Sequence, residues 1–318
     1  MAHLVETMAY AGEVPWHGLG VRVPHDLSPY EMQVAAGLDW TVEKQSMSTS
    51  EGIVIPNKKA LVRSSDRSVL SIVSATWEPC QNETAFQFFD EFCRAGDMQM
   101  HTAGSLKNGR IVWVLAKVDE SFELFGGDRV DSYLLFSNPH EFGHSIDIRF
   151  TPIRVVCNNT LTLSLRSVSN NSVKFSHHKQ NFEITLKSAK KMLGLAQEQF
   201  YSYRQTAESL GEKRYRDETA IEYLDNLFPN FSEKKRGEYL HWDELSKTSK
   251  KIYQLIETQP GHQFRPGSWW NVFNAVTYFT DHERGDSADA RLASAWFGKS
   301  RVLKVKALEK AIEYSKAA

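Results

Sequence analysis

The chain has 318 residues, is 41% hydrophobic and 24% charged, and carries a formal net charge of −1. That balance excludes a disordered, collagen-like or strongly basic chain and leaves one large or two ordinary globular domains. No apolar run approaches the ~20 residues that span a bilayer, and the start MAHLVETMAYAG lacks the basic-then-apolar order of a secretion signal, so a cytoplasmic protein with no membrane partner is expected.

The near-neutral total hides a split. Residues 1–159 carry 13 Lys+Arg against 20 Asp+Glu, a net of −7, and residues 160–318 carry 25 against 19, a net of +6. Such asymmetry fits either a polyanion-facing half or a set of Lys-rich solvated helices. Cys80, Cys93 and Cys157 are widely spaced with no C-x-x-C pair, as expected for reduced thiols rather than a disulfide frame.

Taken in chain order, the first 50 residues read as loop-rich, with a short helix near Pro29–Ala36. Runs 53–63 and 69–77 predict a strand pair turning at Ser64-Ser65-Asp66. Residues 82–95 predict a helix capped by Asn82, with Phe86, Phe89 and Cys93 on one face. Strands follow at 98–105 and 111–118, joined by Lys107-Asn108-Gly109, because Asn-Gly between apolar runs signals a hairpin. After a turn at Gly126-Gly127-Asp128, strands are predicted at 130–137 and 145–156, and a helix near Asn158.

Residues 182–210 repeat apolar positions every three or four residues, which predicts a helix roughly 40 Å long. Further helices are predicted at 217–228, 241–258, 268–283 and 301–315. The order implies an α+β fold, a mostly antiparallel sheet with packed helices over 1–210, then a helical region over 211–318. The order is not the βαβ alternation of a nucleotide-binding fold and holds no glycine-rich phosphate loop, so no cofactor is expected.

Four groups of residues can carry chemistry. His140-Glu141-Phe-Gly-His144 matches the H-E-x-x-H zinc pattern, yet Pro139 precedes it, Gly143 interrupts it, and Ile146, Ile148 and Phe150 continue it with strand alternation. A turn is therefore expected, with a zinc site on His140 and His144 as the minor alternative. Arg149 and Arg154 have opposite strand parity, so one can reach a phosphate and the other an internal carboxylate. Asn158 can cap the next helix and expose N–H groups to an anion, and Cys157 there is a nucleophile or an inert buried thiol.

In the third group, helical spacing over 268–283 aligns Asn271, Asn274, Tyr278, Asp281 and His282. Asn274, Asp281 and His282 are the residues of an enzymatic alternative, against a structural polar network. In the fourth, basic residues mix with aromatics: Lys213, Arg214 and Arg216 around Tyr215, and Lys299, Arg301, Lys304 and Lys306 after Trp296 and Phe297. That mixture suits single-stranded nucleic acid, through phosphate charge and base stacking, although a solvated face is the ordinary reading of either run alone.

Four strings, MAYAGEVPWHGLG, HTAGSLKNGRIVWVLAKV, RFTPIRVVCNNTL and SWWNVFNAVTYFTDHERGDSADARLASAWFG, resemble the phage/plasmid-like protein family, long catalogued as a domain of unknown function. The resemblance runs from near residue 1 to beyond residue 300 and implies a mobile-element origin in a bacterial host. The family's turn before the strand reads closer to His-Asp-Gly-Ser, so position 141 departs from it. The topology alone also resembles phage single-strand annealing proteins of the Red-beta class, which implies a catalysis-free oligomer holding single-stranded DNA. Arg149, Arg154, Asn158, Lys213, Arg214, Arg216, Arg301 and Lys304 are the expected nucleic-acid contacts. The alternatives are an enzyme acting on nucleotides or nucleic acid, with or without a metal, and an adaptor or anti-defence protein that binds a host protein.

Overall fold

A computed structural model describes residues 5–12, 14–15, 18–156, 159–160, 163–164, 174–175, 177, 189–230 and 242–316. The chain divides into two compact units. The first comprises Met1–Glu120, Ser132–Thr151 and Ser164–Glu198; the second comprises Ser121–Asp131, Pro152–Leu163 and Gln199–Ala318. The fold is α+β, with mostly antiparallel sheets followed by a helical region.

In the first unit β1 (Val5–Ala11) lies between β2 (Val21–Val23), its parallel neighbour, and β6 (Met98–Leu106), its antiparallel one. β6 pairs with β7 (Ile111–Leu124), and β8 (Asp128–Pro139) pairs with β9 (Ile146–Phe150). A second sheet has the order β3 (Val42–Ser48), β4 (Val54–Arg63), β5 (Val69–Ser74). The first 50 residues thus hold three strands and not only loop. In β1 and β3 the polar and apolar residues do not alternate cleanly, so pairing with β6 and β4 fixes them where local pattern does not.

α1 (Pro29–Ala35) starts on a capping box, in which Ser28 and Glu31 bond each other's backbone N–H groups. α2 (Asn82–Ala95) buries Phe86, Phe88, Phe89 and Phe92 and ends on Gly96 at φ +80°. Its cap position is Gln81, not Asn82. The Gln81 side chain binds both backbone groups of Val42, which frees the Asn82 amide for the interior. The β6–β7 turn carries Lys107, Asn108 and Gly109 at positive φ. Gly109 is required there for space also, since a Cβ would stand 2.9 Å from Arg63 Nη1 and 3.3 Å from the Trp40 ring.

The expected strand over 145–156 is broken at Thr151-Pro152, giving β9 and then β10 (Ile153–Arg154). The helix expected near Asn158 is not formed by the residues that follow it, because Asn159 and Thr160 form β11, paired with β10. Pro152 cannot donate to a ladder, so the run is interrupted there, although both β9 and β10 pair with β8. Cys157 and Asn158 themselves lie outside the described residues. Leu163–Ser164 (β12) and Lys174–Phe175 (β13) both pair with β9.

The second unit is mainly helical. α3 runs over Ala189–Glu212, the described part of the long helix expected at 182–210. α4 (Asp217–Leu227), α5 (Lys247–Leu255), α6 (Trp269–Tyr278), α7 (Ala288–Phe297) and α8 (Lys299–Lys316) follow. α6 is buried from Trp269 through Thr277, including its polar positions, so it is the central helix around which the others pack. Among the described residues no helix is long and apolar enough to cross a membrane.

Candidate nucleic-acid interface

The His-Glu-Phe-Gly-His string forms the turn between β8 and β9, with Gly143 at φ +86°. Its two histidines have opposite environments. His144 is exposed, with its ring 3.3 Å from Glu141, which also takes Lys107 Nζ at 3.0 Å. His140 is fully buried; its N–H donates to Arg110 O and its Nε2 lies 2.9 Å from Asn82 Oδ1. Asn82 Nδ2 already donates to Leu38 O and Trp40 O, so Oδ1 is an acceptor and His140 Nε2 carries the proton. Burial, reinforced by His177, pushes the His140 pKa down to about 3, which keeps the ring neutral. One histidine inside and one on the surface do not converge on one ion. The zinc alternative on His140 and His144 is therefore corrected to a structural turn. Among the described residues no three His, Cys, Asp or Glu side chains are grouped to hold a metal.

The two arginines beyond the turn both meet carboxylates. Arg149, on β9 of the first unit, pairs with Asp147 two residues back on the same strand face. Arg154, in the second unit, is buried, and its Nε donates to Asp128 Oδ1 at 2.6 Å. Its Nη2 donates to Gly261 O at 2.8 Å, and its Nη1 to Gln259 Oε1 at 3.3 Å. Asp128 takes a further bond from Trp270 Nε1 at 2.8 Å, and the guanidinium lies 5.7 Å from the Trp270 ring centre. Arg154 has no solvent face on which to meet a phosphate. Its expected role is corrected: it is the internal lock between β10, the start of β8 and the start of α6. Asp128 was legible only as a turn residue, because nothing local in Gly-Gly-Asp marks a partner 26 residues away.

The polar set over 268–283 is also internal. Asn274 Nδ2 donates to Trp270 O, one turn back on α6. After Tyr278 the chain widens into a π-turn, Phe279–Glu283, closed by Arg284 N–H on Phe279 O. Asp281 on this turn accepts from Lys304 Nζ at 2.7 Å, and both side chains are fully buried. Burial pushes the lysine pKa down, and Asp281 opposes that. His282 is partly buried and stacks on Tyr278 at 4.5 Å. Asn274 and Asp281 are buried and His282 partly so, so the three do not form an open cluster. Lys304, expected to meet a phosphate, is corrected to the buried partner of Asp281.

The remaining cations face solvent. Lys213, Arg214 and Arg216 lie on the segment between α3 and α4 and are exposed. This segment is pinned by its backbone: Lys213 O accepts from Trp269 N–H, Tyr215 N–H donates to Gly267 O, and Arg214 Nη1 donates to Pro266 O. Among the described residues neither Lys213 nor Arg216 has an ion-pair partner within the chain. At the start of α8, Lys299 is exposed and Arg301 partly so, with no acid in the first turn. Cations at a helix N-terminus oppose the macrodipole and cost about 0.3–1 kcal/mol each.

The helix directions place these two groups. Asp281, just after α6, meets Lys304 near the start of α8, while Trp269 at the start of α6 lies 5.9 Å from Tyr314 near the end of α8. The two helices therefore run antiparallel. Since Lys213 is bonded to Trp269, the 213–216 segment lies toward the C-terminal end of α8, on the order of 20 Å from Arg301 at 1.5 Å per residue. The exposed row Lys299, Val302, Lys306, Glu309, Glu313 and Lys316 runs between them.

A family model described as "Domain of unknown function (DUF932)" matches residues 69–305. No curated protein and no solved structure matches the chain.

Proposed function

The chain belongs to the DUF932 family, and we propose that it is a phage- or plasmid-derived protein that binds single-stranded DNA without catalysis and self-assembles, in a recombination or annealing role. The observation that carries this reading is the set of exposed cations at the two ends of α8, with the half-buried Arg301 beside Lys299. Lys213 and Arg216 stand at one end and Lys299 with Arg301 at the other. The Lys299 and Arg301 charges work against their own helix dipole, a cost that a bound phosphate removes. Tyr215, beside the first group, and Phe297, before the second, offer apolar surface next to the charge. A strand lying along α8 can reach both groups.

A fluorescent single-stranded oligonucleotide, titrated at two salt concentrations, tests this. Four phosphate contacts on a single strand predict a roughly 50-fold loss of affinity between ~50 and ~200 mM salt. The double reversals Lys213→Glu/Arg216→Glu and Lys299→Glu/Arg301→Glu should each weaken binding and flatten the salt slope. Arg22→Glu/Arg94→Glu, at two exposed arginines of the first unit, makes the same change in net charge and is the control. Absence of binding at low salt, or equal losses for all three variants, removes the reading.

A further inference from the structure

We propose that the β3–β4 hairpin is an arm by which one copy of this chain grips the next, its apolar tip seated on the β5 face of the neighbouring copy. The inference rests on the self-assembly part of the reading above and not on DNA. The arm is long: β3 and β4 pair from Val42/Arg63 out to Ser48/Val54, whereas β5 reaches only Lys58–Val62 of β4. Its outer half therefore has no third strand. Between Ser46 and Ser48 the partner on β4 jumps from Lys59 to Val54, so β3 advances two residues while β4 advances five. That bulge contains Asn57 at φ +58° and re-aims the outer half.

The arm is built firmly. Asn57 O accepts from Ala75 N–H, Lys59 Nζ donates to Ser46 Oγ, and Thr49 N–H bonds Ile53 O across the tip. Yet it ends in Ile53 and Val54, which are 62% and 65% exposed. A second apolar area lies on the same unit. Val69 and Ile72 are 56% and 50% exposed. Val69 and Ile72 stand opposite Val62 and Ala60, so they share one sheet face, and by the same alternation Lys58 lies on that face too. The charges are complementary: the tip carries exposed Glu51, and the β5 face carries exposed Lys58.

The four side chains supply a small apolar centre for a contact between copies. The tip and the face are different surfaces, so the contact is head-to-tail. A head-to-tail contact gives rings if it closes and filaments if it does not.

The test is complementation between defective copies, read by light scattering and analytical ultracentrifugation on the full chain. Ile53→Asp/Val54→Asp removes the tip and leaves the face, and Val69→Asp/Ile72→Asp does the reverse. Wild type should assemble and each variant should be monomeric. An equimolar mixture of the two should stop at a dimer, because one intact tip and one intact face remain. Val69→Ser/Ile72→Thr, which keeps strand-compatible residues, replaces the Asp pair if circular dichroism shows that pair unfolded. A monomeric wild type, a tip variant that assembles like wild type, or folded variants that fail to form the mixed dimer overturns the proposal. A wild type that assembles but binds no oligonucleotide removes only the DNA reading.

Discussion

Replacing His140 with glutamine should flatten the pH dependence of stability, and the size of the effect follows from the burial of one ring. In the folded chain the imidazole is enclosed and its pKa is down to about 3, against 6.5 for the free side chain. Between those values the unfolded chain holds a proton that the folded chain refuses. Unfolded chain therefore binds more protons, and stability rises with pH across the window and falls as pH drops below about 6.5. From pH 7 to pH 5 the loss from this one group is about 2 kcal/mol, and the figure barely depends on how far below pH 5 the folded value lies. The amide side chain of His140→Gln would keep an N–H for Asn82 Oδ1 and has no proton to gain. Urea unfolding at pH 7 and pH 5, read by Trp fluorescence on the transition that the substitution itself shifts, compares the two proteins. Wild type should lose about 2 kcal/mol more than His140→Gln over that interval. Equal losses would show that His140 is charged or accessible in the folded state, and the turn would again be open to a metal reading.

Three further outcomes follow from the interior of the second unit. Asp128→Ala leaves the Arg154 guanidinium and Trp270 Nε1 without their carboxylate and should cost about 3–5 kcal/mol in chemical denaturation. Lys304→Ala should cost about as much by stranding Asp281, whereas the double change Lys304→Met/Asp281→Leu should recover most of the loss, because an apolar pair needs no desolvation. Gly211→Ala would put a Cβ 1.9 Å from the Phe125 ring and should destabilise by about 1–3 kcal/mol, with Phe125→Leu restoring part of it in thermal melts.

The sequence was most readable where one local rule decided the outcome. The Asn-Gly turn, the aromatic face of α2, the strand alternation after His144 and the α+β order all depend on neighbours within a few residues. The failures share a physical cause. β1 and β3 exist because longer strands pair with them. Asn82 is drawn from its cap role because Gln81 takes the cap position and His140 takes the Asn82 amide oxygen. Arg154 and Lys304 were read as phosphate contacts because charge is visible in a sequence while its burial is not. Their partners, Asp128 and Asp281, lie 26 and 23 residues away, beyond any local spacing rule. α7 (ADARLASAWF) is a helix the sequence reading does not predict: it is rich in alanine, and its large apolar residues other than Leu292 fall at its end.

The strings by which the sequence resembles a family hold several of these buried arrangements and few of the proposed interface cations. HTAGSLKNGR contains the turn in which Gly109 fits against Arg63 and Trp40. RFTPIR contributes Arg154, and the long late string contributes Trp270 and Asp281, so two internal charge pairs of the second unit are anchored in them. Lys213, Arg214 and Arg216 fall outside all four strings, and Lys299 and Arg301 come just after the last one ends at Gly298. A buried ion pair is costly to break and restricts what each position can hold, so a family likeness built on such positions reports the framework. An exposed lysine carries no such restriction. The family match over residues 69–305 takes in the buried pairs and the solvent cations alike, so what the chain binds has to be argued from the cations that the framework leaves exposed.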